Sequence, residues 1–327
     1  MKNRKPSVKE YADLLAKGDT VTLGRAITAI ESKKATDARF AQFLLAKVNT
    51  NGPKSLRLGI TGSPGVGKST FIEAFGKYLT SLGKKIAVLA VDPSSTKTKG
   101  SILGDRTRME ELSKDKLAFI RPTSSGSALG GVADRTRETI LLCEAAGYEI
   151  IIVETVGVGQ SETAVRSMVD FFLLLQLPGG GDELQGIKKG IMEMADAIVI
   201  TKSDGENEKK ARQAQVEFQH ALHLFQPLSS GWTPKVMTTS AIQKKGIVDV
   251  WKMVELFHRS TIANGSFQQN RDQQKLIWFQ ECIQLLLRER IVQSKKLLAS
   301  MKSLERKIIK GEILSSAAAK ELVNKLK

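Results

Sequence analysis

From Ser55 onward the chain alternates apolar runs of strand length with amphipathic stretches of helix length. LRLGITG, KIAVLAVD, LAFIRPT, YEIIIVET, FFLLLQLP, DAIVITKSD and KVMTTSA each read as a strand, and most are apolar throughout. A strand apolar on both sides must be buried on both faces, which predicts a parallel sheet covered by helices. The predicted class is therefore α/β with a mostly parallel central sheet flanked by helices. In such sheets ligands lie beyond the carboxyl ends of the strands, so the polar residues there carry the functional question.

The flanks have a different pattern. SVKEYADLLAKG and DTVTLGRAITAIES repeat apolar residues at three- and four-residue spacing behind Ser7 and Asp19, which suit helix caps. Asn51-Gly52-Pro53 breaks that pattern. Beyond about residue 270 the strands stop. An apolar stripe runs through Leu276, Phe279, Ile283, Leu286, Leu297, Met301, Leu304 and Ile308, which predicts one long helix or a helical hairpin. Gly311 punctuates it before a last helix. The stripe either packs back on its own domain or meets a second copy, and a dimer is the favoured expectation. The predicted division is a helical extension over 1–54, an α/β domain over 55–262 and a helical dimerisation arm over 263–327.

Composition narrows the class. The 327 residues carry a net charge of +16 with 41% hydrophobic residues. Residues 1–55 hold 11 basic and 5 acidic groups and residues 271–327 hold 13 and 6, so the ends carry +6 and +7 of that charge. Mixed with acids and apolar residues, these basic groups read as solvated helix faces or a surface for an acidic partner rather than a nucleic-acid site. Two cysteines, Cys143 and Cys282, make a disulfide framework or Cys-rich metal site unexpected. No run reaches the 18 apolar residues of a membrane span, and no apolar segment of a signal peptide follows the basic start. A cytoplasmic protein without membrane contact is expected.

The strongest chemical signal is GSPGVGKST, comprising Gly62, Ser63, Pro64, Gly65, Val66, Gly67, Lys68, Ser69 and Thr70, between a strand and a helix. It fits the P-loop pattern in its required setting. Its glycines let backbone N–H groups curl around phosphate oxygens, Lys68 neutralises the β/γ-phosphates and the Ser69 hydroxyl can ligate Mg2+. TKSD, Thr201 to Asp204, then resembles the guanine-reading N-K-x-D motif, with Lys202 and Asp204 as its contacts. A carboxylate accepts from guanine N1–H and the 2-amino group, whereas adenine would leave it unpaired. Thr201 in place of Asn removes an amide contact. In TSA, Thr239 to Ala241, a backbone N–H can meet guanine O6, so Ser240, Ala241 and Ile242 join the expected GTP contacts. Asp92, Asp105 and Glu154 end or follow strands and, with Ser69, are the expected Mg2+ ligands, held directly or through water. Lys68, Asp92, Asp105, Arg108 and Glu154 are the candidate catalytic residues, with Arg106 and Arg108 readable equally as transition-state cations or surface arginines.

The order GSPGVGKST, AVDPSSTKTKGSILGDRTRM, RPTSSGSALGGVADRTRE, ETVGVGQSE, LPGGGDELQGIKKGIMEMAD, TKSD resembles the MeaB/ArgK family, which includes the methylmalonic aciduria type A proteins. The resemblance covers roughly residues 55–260. It implies a GTPase of the signal-recognition-particle/MinD branch, using GTP and Mg2+ and releasing GDP. It also implies a chaperone that gates adenosylcobalamin loading or repair of methylmalonyl-CoA mutase or a related acyl-CoA mutase. Cobalamin bound by this chain itself is not implied. Residues alone leave LPGGGDELQGIKKG open between a tight crossover turn and a moving part. The resemblance makes it a third nucleotide-sensing loop facing the partner, through Gly179, Gly180, Gly181, Asp182, Glu183 and Lys188.

Three other readings compete. Metal-insertion GTPases share the branch but carry His-rich or Cys-containing motifs that His220, His223 and His258 do not provide. A kinase of an amino-acid (LAO/AO) transport system would need a phosphate acceptor, and no motif supplies one. A nucleic-acid-associated ATPase is opposed by TKSD.

Overall fold

The computed structural model describes residues 7–32, 34–48, 55–91, 109–123, 129–155, 161–179, 189–225 and 230–325, without side chains at 122–123, 129–134, 161 and 189. Seven strands form one sheet: β1 (Leu56–Gly62), β2 (Ile86–Val91), β3 (Ala118–Thr123), β4 (Ile150–Thr155), β5 (Phe171–Gln176), β6 (Ala197–Ile200) and β7 (Lys235–Thr238). All neighbours are parallel, in the order β3-β2-β4-β1-β5-β6-β7. These are the seven apolar runs of the sequence; LRLGITG is strand along its whole length, and the other six strands are shorter than their runs by one or more residues.

Parallel neighbours need crossovers, and helices supply them. They are α4 (Lys68–Ser81), α5 (Glu110–Ser113), α6 (Leu129–Ala145), α7 (Ser161–Arg166), α8 (Lys189–Met194) and α9 (Asn207–Leu222). Continuous apolar strands still sort their side chains by alternation. In β2, Ile86 and Val88 face one core with Phe71, Phe75, Trp251 and Phe257. Ala87, Leu89 and Val91 face another. That second face is covered by α6 and by the N-terminal helices α1 (Val8–Ala16), α2 (Thr20–Glu31) and α3 (Ala35–Lys47), whose Leu15, Leu23, Ile27 and Leu44 are fully buried. Ser7 caps α1 in a reciprocal box with Glu10, and Asp19 caps α2. The short hydrophilic-faced helices of the sequence are thus a layer of the sheet's own core.

Two compact units divide the chain, 1–274 and 275–327. Helix α10 (Ile247–Ala263) lies in the first; α11 (Ser266–Gln293) begins there and runs into the second. The second unit continues with α12 (Lys295–Ile309), capped by Ser294, and α13 (Ser315–Asn324) after the left-handed Gly311. Leu297, Leu304 and Ala318 are buried, whereas Leu276, Phe279, Ile283 and Leu286 are exposed. The apolar stripe therefore changes role along its length. Among the described residues no helix is long and apolar enough to cross a membrane.

The root of α11 is fixed by charge at the amino end of the sheet. Arg271 donates through Nε and Nη2 to the fully buried Asp170, which also accepts from the Arg57 amide at 2.8 Å. Arg271 Nη1 reaches Glu144 at 3.2 Å, and Glu144 takes Arg57 Nε and Nη2 at 2.8 and 2.9 Å. Burial pushes the Glu144 carboxyl up, but the Arg57 hydrogen bonds and the Arg57 and Arg271 charges outweigh it and hold the group below its ordinary value. Removing one member strands the other charges in a dry site. Arg271→Met is expected to cost about 3–5 kcal/mol in urea denaturation; a loss under about 1 kcal/mol would show that the network does not hold the helix root.

Candidate nucleotide site

The site begins where β1, in the centre of the sheet, has to turn back on itself. A Cβ on Gly62 would lie 2.6 Å from the Leu175 carbonyl oxygen on β5, so only glycine fits. Gly67, at φ +92°, is the N-cap of α4, and its left-handed backbone aims the first helical N–H groups into the loop. Loop and helix N-terminus together form a concave ring of donors suited to an anion.

Lys68 curls over this ring. Its Nζ donates to Gly62 O at 2.7 Å and Ser63 O at 3.1 Å. Burial lowers its pKa, an effect opposed by the charges of Glu154 and Glu162. Beside it, Ser69 Oγ donates to Glu154 Oε1 at 3.4 Å. Glu154 is almost fully buried at the end of β4, where Thr155 and Thr61 join across to β1 through a 2.7 Å hydroxyl bond. A hydroxyl and a carboxylate oxygen so close are hard donors of the kind Mg2+ prefers, with water completing its shell. Among the described residues no group of three or more His, Cys, Asp or Glu is gathered for a metal. The other acidic candidates, Asp92 and Asp105, lie outside the described residues, as do Arg106 and Arg108.

At the other end of the ring is a cavity of 170 Å³ whose lining includes Val66, Gly67, Phe71, Lys202, Asp204 and Ile242. Ser240 donates its hydroxyl to the Asp204 carboxylate in a very short bond and accepts from the Gln243 amide at 3.1 Å. One carboxylate oxygen is thus anchored and the carboxyl plane is set. The Thr239 and Ser240 amides donate to Ile200 O at 2.8 Å and Lys245 O at 3.0 Å. Among the described residues the Ala241 amide has no such partner, which narrows the expected O6 contact to it. Lys202 adopts the left-handed φ of +54° and is exposed, as are Ser63, Pro64, Gly65, Thr70 and Ile242.

The structure thus brings together Gly62 through Thr70 and Glu154 at one end, and Lys202, Asp204, Ala241 and Ile242 at the other, with Ser240 behind them. Of the partner-facing set, Gly179 is described, at φ +90°; Gly180, Gly181, Asp182, Glu183 and Lys188 lie outside the described residues. Sequence reasoning missed the contacts of three contributors, and held a fourth, Glu162, only as the last residue of ETVGVGQSE. Asn207 and Phe71 line the cavity, and Glu162 is a buried acid whose charge Lys68 feels. Thr201 counted only as a lost amide, yet its hydroxyl donates to Val66 O in the P-loop at 2.7 Å. The side chain's small size concealed a contact that the parallel β5–β6 pairing makes available.

Comparison with known proteins agrees with this geometry. The family model described as "Methylmalonyl Co-A mutase-associated GTPase MeaB" matches residues 23–296. GTPase ArgK of Escherichia coli strain K12 is 50% identical over 267 residues, 82% of this chain and 81% of its own. The mitochondrial methylmalonic aciduria type A homolog of Mus musculus is 45% identical over 323 residues, 96% of this chain and 78% of its own. A crystal structure titled as a LAO/AO transport system kinase superposes with a TM-score of 0.79 at 36% identity, covering 99% of both chains. A family model over most of the chain and relatives at 45–50% identity settle the membership: this chain belongs to the MeaB family of GTPases and is a GTP hydrolase.

Proposed function

We propose that the chain hydrolyses GTP in order to gate adenosylcobalamin loading or repair of methylmalonyl-CoA mutase or a related acyl-CoA mutase, as a cytoplasmic chaperone. The observation that carries the guanine part is the Asp204 carboxylate, oriented by Ser240 in a cavity that opens beside Gly67 of the P-loop. Such a group accepts two hydrogen bonds from the guanine edge. The partner rests on the family's description and on the name carried by the mouse relative.

In this reading the amides of Gly62 to Ser69 hold the phosphates and Lys68 leaves its loop carbonyls for the β/γ-oxygens. Phosphoryl transfer asks the protein mainly for positioning and charge stabilisation. Ser69 and Glu154, with Asp92 and Asp105, would hold Mg2+, which when bound neutralises developing phosphate charge. Glu154, which lies against Ser69, would act on the ion directly or through water and can also orient the attacking water. Arg108 is the candidate transition-state cation. The glycine-rich segment from Gly179 would carry nucleotide state to the mutase. The exposed Leu276, Phe279, Ile283 and Leu286 are the surface proposed for pairing with a second copy.

Four outcomes test this. Lys68→Ala should lower GTP turnover at least 100-fold, read as phosphate release, with labelled γ-phosphate in wild type appearing in solution and not on protein. Asp204→Asn should lose guanine preference, measured by competition between GTP and xanthosine triphosphate; retained selectivity for GTP would refute the assignment of Asp204. Truncation after Gln274, which keeps the buried Arg271, should give monomers by sedimentation, and a truncated chain that still dimerises would remove that role from residues 275–327. The partner itself is read from a pull-down: an adenosylcobalamin mutase should accompany the bait and raise its GTP turnover.

A further inference from the structure

Thr201 stands at the carboxyl end of β6, almost fully buried, with one hydroxyl proton and two carbonyls in reach. Val66 O is 2.7 Å away and Gln176 O is 3.1 Å away. The Gln176 carbonyl already accepts from the Thr201 amide at 2.8 Å. Among the described residues Val66 O accepts from no backbone amide outside the helices and strands. It precedes Gly67, the N-cap of α4, so its carbonyl lies outside the helical ladder, and Val66 is fully buried. A buried carbonyl without a donor costs about 1–3 kcal/mol. The proton therefore belongs to Val66 O, and the bond ties the middle of the P-loop to the loop that holds the base-reading acid.

A second observation lies alongside. The Thr239 hydroxyl is buried and has no hydrogen-bond partner among the described residues, and both threonines line the cavity of Asp204. Thr239 and Thr201 follow paired residues of β7 and β6, Thr238 and Ile200. A carboxamide at position 201 would carry donors for Val66 O and also an acceptor for Thr239. Threonine makes the first bond and leaves the second unmade.

From this we infer that Thr201 is the positioning residue that pins the phosphate loop, and that its choice over asparagine sets the residence time of bound guanine nucleotide. The tether is strong enough to keep the cradle formed, and the idle Thr239 hydroxyl marks the increment of rigidity forgone. The inference rests on Gly62 to Thr70 being the phosphate cradle and does not depend on which partner the protein serves.

The experiment follows release of a fluorescent GDP from the full-length protein, chased with unlabelled GDP. Thr201→Val keeps the shape and removes the hydroxyl; release should quicken roughly tenfold, the factor equivalent to one net hydrogen bond. Thr201→Ser restores the donor and should return release to within about threefold of wild type. Thr201→Asn should release more slowly than wild type, and the slowing should vanish when Thr239→Val is added, as a double-mutant cycle reads coupling. The ratio of GTP to xanthosine triphosphate affinity should stay constant across the Thr201 series, because the tether acts on the phosphate end. Wild-type release from Thr201→Val, or a serine variant as fast as the valine one, would overturn the tether. Slowing by asparagine that survives Thr239→Val would overturn the pairing. If the valine variant does not fold, the serine and asparagine arms decide. Failure of the underlying reading looks different: Lys68→Ala would then bind GDP as tightly as wild type, and Asp204→Asn would leave base preference unchanged.

Discussion

The site depends on a steric constraint at the end of β1. The strand lies in the middle of the sheet, between β4 and β5, so its chain cannot leave sideways. It must fold back over its own end at Gly62, where even one methyl group would run into the Leu175 carbonyl. That turn leaves a ring of backbone N–H groups with no strand to pair them, and the start of α4 adds more. A cradle suited to phosphate is thus a consequence of where β1 sits. The same centrality brings Glu154 from β4 to Ser69 and Thr201 from beyond β6 to Val66.

The two ends of the sheet treat buried charge in opposite ways. At the amino end Arg57, Glu144, Asp170 and Arg271 satisfy one another, and Asp196 accepts from the Phe172 amide and pairs with Arg166. Asp196 is pushed up to about 6 by burial, with Arg166 and the Phe172 amide pulling against it. Every group there is committed to holding elements together. At the carboxyl end Lys68 hydrogen-bonds two loop carbonyls, which it can exchange for phosphate oxygens, and Asp204 has its Ser240 contact fixed. The first end buys rigidity; the second keeps bonding capacity for a ligand.

This division explains what the amino-acid sequence disclosed. Strands buried on both faces write themselves as long apolar runs, so the seven strands and their parallel order class were legible from hydrophobicity alone. The P-loop and Asp204 were legible because rare residue types, glycines and a strand-ending acid, mark them. The covering role of α1 to α3 was not legible, since an amphipathic helix carries no sign of which surface it covers. Nor was the work of Thr201 and Asn207, because a single hydroxyl or amide has meaning only once a distant carbonyl or cavity is placed beside it. Arg271 was hidden for the same reason: in the sequence it is one basic residue among the 13 of the last 57 positions, and only the fold sets it against Asp170.

In the proposed reading, affinity and selectivity come from two neighbouring parts of the site, the P-loop and the cavity beside it. The cradle grips phosphates through backbone groups that any nucleoside triphosphate would satisfy, so it adds grip without choice. In that reading choice comes from Asp204, for which adenine offers no donor pair, and sites built to hydrogen-bond a group can reject its analogue by about 10⁴-fold or more. Such rejection requires the acid to stay in place when the wrong base enters; a carboxylate free to swing into water would forgive the mismatch. Ser240, fully buried and doubly engaged, prevents that swing. The Thr201 bond belongs to the grip and not to the choice, because it pins Val66 of the loop while Asp204 keeps its own anchor in Ser240.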